Sequence, residues 1–250
     1  MKMHATKFQS LGLLALAIGA AVVSTPALAG PANKVYRPIV EKGETEVEFR
    51  SGFRSFDGAP SEHAFVLDLG YSVTSRWKTE LVLEFAAEGG NPGKLEAWEW
   101  ENIIVLTEQG EHWADVGIFA EYENVFAAGP DEIKIGPMLQ KEIGPTIANL
   151  NLLFAREIGS GASDDTELDY SWQVKWRGKE ALEWGVQGLG GLGTVDHLGD
   201  GDAHSAGPAL FGVQRLASGN KFAYDAAVLA GLNNAAPDLT VRLSLEYEIY

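Results

Sequence analysis

The chain has 250 residues, 46% of them hydrophobic, with no cysteine and with 19 basic residues against 35 acidic ones, a net charge of −16. That balance excludes nucleic acid as a partner, which needs a basic footprint, and it excludes docking from solution on an anionic lipid surface. Without cysteine there is no disulfide, thiolate metal site, cysteine nucleophile or lipid-attachment cysteine.

Residues 1–29 read as a secretory signal peptide. Lys2 and Lys7 make a basic start, Leu11 to Val23 is an apolar and glycine run, and Ala27-Leu28-Ala29 before Gly30 is a small-x-small cleavage pattern. The apolar run falls short of the ~20 residues that a spanning helix needs. Without Lys2 and Lys7 the mature chain has 17 basic residues against 35 acidic, a net charge of −18. Residues 30–43 carry Pro31 and Pro38 and no clear period. They read as a periplasmic N-terminal lead whose Val35, Tyr36 and Ile39 tuck into a barrel mouth. Residues 44–250 read as one domain.

From Glu44 onward apolar and polar residues alternate, which is the period of a two-faced β-strand. Twelve such stretches are predicted. The first, 44–56, sets Thr45, Val47, Phe49 and Phe53 against Glu46, Glu48, Arg50 and Arg54. The second and third, 62–73 and 77–87, set Leu67, Leu69, Leu81 and Leu83 against Asp68, Lys78, Glu80 and Glu84. The fourth, 95–106, is less clean: Trp98 and Trp100 oppose Glu99 and Glu101, but Ile103 and Val105 share the acidic phase. The fifth, 112–123, has Asp115, Glu121 and Glu123 on its polar phase, and the sixth, 132–143, has Lys134 and Gln140 there, with an awkward Pro137 inside it. The seventh, 147–157, carries Asn149 and Asn151. The eighth, 167–177, alternates most clearly, with Asp169, Gln173, Lys175 and Arg177 opposite Leu168, Tyr170, Trp172, Val174 and Trp176. The ninth, 182–192, has Glu183 and Gln187 and then dissolves into glycine; the tenth, 206–215, is weak; the eleventh is 221–230. In the last, 238–250, Leu239 to Ile249 alternate with Arg242, Glu246 and Glu248.

Tight turns are predicted after the even-numbered stretches, such as Gly144-Pro145 and Gly178-Lys179, and longer loops rich in Gly, Asp, Asn and Pro after the odd ones, the longest being 193–205. Short turns on one side and longer loops on the other mark a transmembrane β-barrel. The predicted fold is all-β: a single antiparallel up-and-down barrel of about twelve strands, with both termini at the periplasmic end. About twelve strands enclose more space than apolar side chains fill, and most Trp and Tyr lie near strand ends, where interfacial girdles place them. The apolar row therefore faces lipid and the charged row an enclosed core.

The strand-and-turn pattern over Glu44 to Tyr250, with its aromatic last residue, resembles bacterial outer-membrane β-barrel proteins of the twelve-strand, porin-like class. The stretch Glu99 to Glu123, with Leu106-Thr107, Gly110, Trp113 and Asp115-Val116-Gly117, is similar to a family of outer-membrane transporters encoded near phenol and aromatic-degradation genes. The resemblance implies a Gram-negative outer-membrane location, and outer-membrane lipid, the barrel-assembly machinery and a small-molecule solute as partners. In such families the C-terminal aromatic shares the lipid-facing phase as part of the assembly signal. Here Tyr250 is in the charged phase, with Tyr247 and Ile249 on the apolar one.

No enzyme is expected. The mature chain has only four histidines, and no Gly-x-Ser-x-Gly or His-Glu-x-x-His occurs. His204-Ser205 are neighbours, but adjacent residues on a strand point to opposite faces. The loop residues Asp196, His197, Asp200, Asp202 and His204 are a candidate divalent-cation set, since carboxylates and imidazoles at close spacing hold such ions; the alternative is a solvated loop where Asp, Gly and His are simply allowed. No cofactor is expected. The predicted lumen-lining charges are Glu46, Glu48, Arg50, Arg54, Asp68, Lys78, Glu80, Glu84, Glu99, Glu101, Asp115, Glu121, Glu123, Asp169, Lys175, Arg177, Glu183, Arg242, Glu246 and Glu248. Acids outnumber bases, so a water-filled lumen favours cationic or neutral solutes. The alternatives are a closed structural or binding barrel with function in its outer loops, and a membrane-barrel hydrolase.

Overall fold

The computed structural model describes residues 30–91, 93–126, 129–199 and 202–250. The predicted signal peptide and Asp200 lie outside them. The described residues form strands β1 (Thr45–Phe56), β2 (Ala59–Thr74), β3 (Trp77–Glu88), β4 (Lys94–Val105), β5 (Asp115–Val125), β6 (Asp131–Ile143), β7 (Thr146–Ile158), β8 (Glu167–Lys179), β9 (Leu182–Thr194), β10 (His197–Leu198), β11 (His204–Arg215), β12 (Lys221–Gly231) and β13 (Leu239–Ile249). Each barrel strand is antiparallel to its neighbours, β1 pairs with both β2 and β13, and β8 pairs with β9, so twelve long strands close on themselves. Closure removes the free edges and pairs the backbone groups that lipid cannot satisfy. The two-residue β10 is an extra hairpin on β9 inside the longest loop, where no alternation announces it.

Three local differences from the sequence pattern have physical causes. The connection after β4 is a nine-residue loop, 106–114, rather than a tight turn. It is held by side chains: Thr107 Oγ1 accepts the Val116 N–H at 2.9 Å, Asp115 Oδ1 accepts the Gly110 N–H at 2.6 Å, and Lys141 Nζ lies 5.0 Å from the Trp113 ring centroid. The connection after β1, on the long-loop side, is only Asp57-Gly58, with Gly58 at φ 76°. Pro137 sits inside β6 because the β6–β7 ladder skips it, passing from Ile135 opposite Phe154 to Met138 opposite Asn151. Pro208 in β11 is passed over in the same way by β12.

The two faces are inverted relative to a water-soluble barrel. The outward row exposes Leu69 at 55%, Trp100 at 52% and Trp184 at 61% of their surfaces, while Glu80 and Glu101 on the inward row are at most 1% exposed. An apolar belt of this extent faces hydrocarbon, not water. Its indoles still find acceptors on the outer wall: Trp77 Nε1 donates to Asn102, Trp98 Nε1 to Asn124 and Trp100 Nε1 to Thr79, at 2.8–3.0 Å.

Inside, the barrel is filled by its own N-terminal lead. Residues 30–43 do not stop at a mouth; they run along the lumen. Ala32 packs on Ala64, Val66 and Val82, and Tyr36 and Val40 pack on a cluster of Ile103, Val105, Phe119, Met138 and Leu153. The breaks in the β4 alternation are thus seats for this segment. Gly52 is required for its passage, since a Cβ there would stand 1.9 Å from the Pro31 carbonyl oxygen.

Candidate functional site

Strand register sets the lumen's charge. Glu48 lies opposite Asp68 and Glu246, Glu46 opposite Glu248, Glu101 opposite both Glu80 and Glu121, and Glu99 opposite Glu123. Like charges directly opposite repel, and buried ones need counter-charges. Some come from the wall itself. Lys78 Nζ pairs with Glu46 and, at 2.9 Å, with Glu80; Lys134 pairs with Glu121 at 2.9 Å and Glu132 at 3.2 Å; Lys175 pairs with Glu183 at 2.9 Å. Arg50 stands 3.7 Å from Glu48 and 3.8 Å from Glu101. Arg54 lies 3.8 Å from Glu62.

The rest comes from the lead. Lys34 Nζ donates to Glu48 Oε2 at 2.7 Å and Asp68 Oδ2 at 3.3 Å, and stands 3.6 Å from Glu80. The Tyr36 hydroxyl donates to Glu101 Oε1 at 3.0 Å. At the short-turn end Lys221 Nζ donates to Glu41 and Glu248, each at 2.8 Å. Tyr250 joins this rim group: its hydroxyl donates to Glu44 Oε2 at 2.9 Å and also contacts Glu248 and Lys221. Partial burial, with Glu248 and Glu44 beside it, holds the Tyr250 phenol well above its ordinary pKa. The charged phase of Tyr250 therefore has a structural use here.

A second stretch of the wall is neutral. Asn149 donates to Gln140 at 2.9 Å, Gln173 to Asn149 at 3.0 Å, and Gln187 to Gln173 at 3.1 Å. Gln187 also donates to Asp225 at 2.6 Å and accepts from Arg242 at 3.2 Å. Beside this run Asn151 grips the lead. Its Oδ1 accepts the Tyr36 N–H at 2.9 Å and its Nδ2 donates to the Tyr36 carbonyl at 3.0 Å, as a neighbouring strand would. On the long-loop side of these contacts is an open cavity of about 50 Å³, lined among others by Lys34, Tyr36, Glu84, Glu99, Glu121 and Asp169.

The predicted lumen residues therefore fall into several settings. Glu46, Glu48, Arg50, Asp68, Lys78, Glu80, Glu101, Glu121, Lys175, Glu183 and Glu248 are in the ion pairs above. Glu84, Glu99 and Asp169 line the cavity, and Glu123 and Glu246 stand in acidic groups with Glu121 and Glu132 and with Glu44 and Glu46. Asp115 is buried but serves the 106–114 loop. Arg177 leaves the lumen row: it is exposed in the last turn-side residues of β8, pairing with Glu142 at 3.1 Å and donating to the Gly144 carbonyl. Its phase is inward, but the strand runs past the enclosed depth.

The candidate cation loop does not converge among the described residues. His204 begins β11, and its Nδ1 lies 2.9 Å from the Tyr170 hydroxyl. His197 is on β10, the Asp202 carbonyl accepts from Asn233 at 2.6 Å, and the closely spaced acidic groups are on β1–β6 and β13, without Asp196, His197, Asp202 or His204. The sequence pattern puts Tyr36 at a barrel mouth and Asn151 on the polar phase but gives neither its contact, and it does not single out Lys34, Lys221 or the carboxamide run. A signal existed for the lead: Lys34, Arg37 and Lys42 cluster in an otherwise acidic chain.

No protein-family model matches the chain, and no curated protein does. Among solved structures it is similar in fold to an outer-membrane channel from Pseudomonas putida F1, with TM-score 0.59 and 11% identity over 86% of this chain and 98% of that one. The outer membrane protein Omp33 of Acinetobacter baumannii gives TM-score 0.44 and 9% identity over 85% of this chain and 99% of that one.

Proposed function

We propose that this porin-like outer-membrane barrel is a channel for small solutes, cationic or neutral by preference, which its own residues 30–43 hold closed. The observation that carries this reading is the enclosed row of acidic side chains with a cation-bearing segment seated in it. Water-filled, such a lumen would favour positive charge. Signal cleavage after Ala29 would leave Gly30 as the first residue, and a Cβ on Gly30 would stand 2.9 Å from Glu84 Oε1. The new α-ammonium would then add to the segment's positive charge beside an acidic wall.

The test is planar-bilayer recording of the intact mature chain against one lacking residues 31–37. The intact chain is expected to be nearly silent. The deleted chain is expected to give steady conductance steps with a reversal potential that reports cation preference. Anion preference would overturn the reading. Silence of both chains would favour the second reading, a closed structural barrel, which draws support from the dense ion pairing and carboxamide bonding across the interior.

A further inference from the structure

We propose that Glu48, Asp68 and Glu80 form a binding site for the primary ammonium group of a solute, and that Lys34 occupies this site as an internal stand-in. The use of the site in transport rests on the channel reading above; the binding itself does not.

The three carboxylates come from adjacent strands β1, β2 and β3, and their side chains are at most 3% exposed. They converge on one nitrogen, Lys34 Nζ, at 2.7, 3.3 and 3.6 Å. An alkylammonium carries three N–H donors and no acceptor, which three converging carboxylates complement. The barrel wall does not neutralise this place by itself. Arg50 reaches Glu48 only at 3.7 Å, and Lys78, 2.9 Å from the same Glu80 Oε1 that Lys34 approaches, is shared with Glu46. Asp68 is the residue left over: Lys34 is the cation on its Oδ2, and its buried Oδ1 has no hydrogen-bond partner among the described residues. The wall thus carries a formed cation seat whose occupant comes from a segment outside the strand ladder.

The seat is also on a route. Lys34 and Tyr36 line the open cavity, whereas Glu48, Asp68 and Glu80 lie behind Lys34. Lys34 Nζ is 5.4 Å from the Tyr36 ring centroid, so an aromatic face adds to the cation's environment. A solute coming through the cavity would meet the seat once the Lys34 side chain withdrew. The fitting chemical class is short unbranched amines and diamines. A quaternary ammonium lacks the N–H donors and should be refused.

The test uses Lys34→Ala in the full-length mature chain, folded in detergent, with n-butylammonium as the probe because it is the free analogue of a whole lysine side chain. The folded-to-unfolded gel transition of Lys34→Ala should move to lower temperature than that of the parent. Millimolar n-butylammonium should restore at least half of that loss, with no matching effect on the parent. Tetramethylammonium at the same ionic strength should restore nothing, and n-butylammonium should fail on Lys34→Ala carrying Asp68→Asn. Absence of restoration, or equal restoration by tetramethylammonium, overturns the proposal. If Lys34→Ala does not fold unaided, refolding yield with each amine is the readout, and equal yields overturn it. Bilayer recording separates the two claims. Restoration without conductance supports the site and removes the channel reading. Conductance without restoration removes the site and leaves the channel reading.

Discussion

From β13 through β1 to β5 the inner wall is built mainly from ionised side chains, while β6 to β9 are crossed by a run of carboxamides. Glu101 faces Glu80 and Glu121 across its two neighbours, so the ionised wall begins with repulsion and is completed by Lys34 and Tyr36 from the lead. Gln140, Asn149, Gln173 and Gln187 bond in sequence, because each carboxamide both donates and accepts. One wall depends on the N-terminal lead for part of its charge balance. The other bonds within itself and hydrogen-bonds that segment through Asn151.

The contrast can be broken by substitutions of decreasing effect. Lys78→Met takes the wall cation from two buried carboxylates, Glu46 and Glu80, leaving Glu80 only the longer Lys34 contact, and should cost about 3–5 kcal/mol in urea unfolding from detergent micelles, as broken buried pairs do. Gln187→Leu should cost less, about 1–3 kcal/mol by the same measurement, since it leaves Gln173, Asp225 and Arg242 each one hydrogen bond short without stranding an ion pair. Asn151→Leu should leave the barrel's unfolding nearly unchanged but loosen the lead by roughly 1–2 kcal/mol. Trypsin cleavage after Lys34, which requires the lead to leave the lumen, should then quicken by about tenfold. If the lead were merely packed and not gripped, that rate would not move.

The smallest effect is expected outside the membrane. Arg215 donates to the Glu180 carboxylate at 2.9 and 3.1 Å on the exposed surface and holds its pKa below the ordinary value. A lowered folded pKa contributes stability at neutral pH that is lost as pH falls through it, but an exposed pair is screened by solvent and salt. Arg215→Ala should therefore leave unfolding indistinguishable from the parent.

The strand plan was legible because membrane strands write two chemistries at alternate positions, and Leu67-Asp68-Leu69 or Trp172-Gln173-Val174 can be read directly. The ionised wall was legible for the same reason. The carboxamide run lay on the same polar phase, but Asn and Gln carry no charge to single them out from solvated turns. The lead was the harder loss. Its residues follow no period because they make no ladder; their contacts are to many strands in turn, as with Lys34 on β1 to β3 and Tyr36 on β4, β5 and β7. The irregular phase of Ile103 and Val105 was the trace it left on the wall. The 106–114 loop was misread because His112 to Ala114 continues the alternation of β5 by chance, while side chains from Thr107 and Asp115 tie it back.

The barrel turns apolar side chains toward hydrocarbon and ionised ones toward an enclosed interior. All seven tryptophans lie on the outward phase or in a connecting loop, so intrinsic fluorescence of the unmodified protein in bilayers reports the inversion without a label. Strong quenching by dibrominated lipid with little quenching by aqueous iodide is the predicted result. Ready quenching by iodide, with no effect of dibrominated lipid, would contradict it.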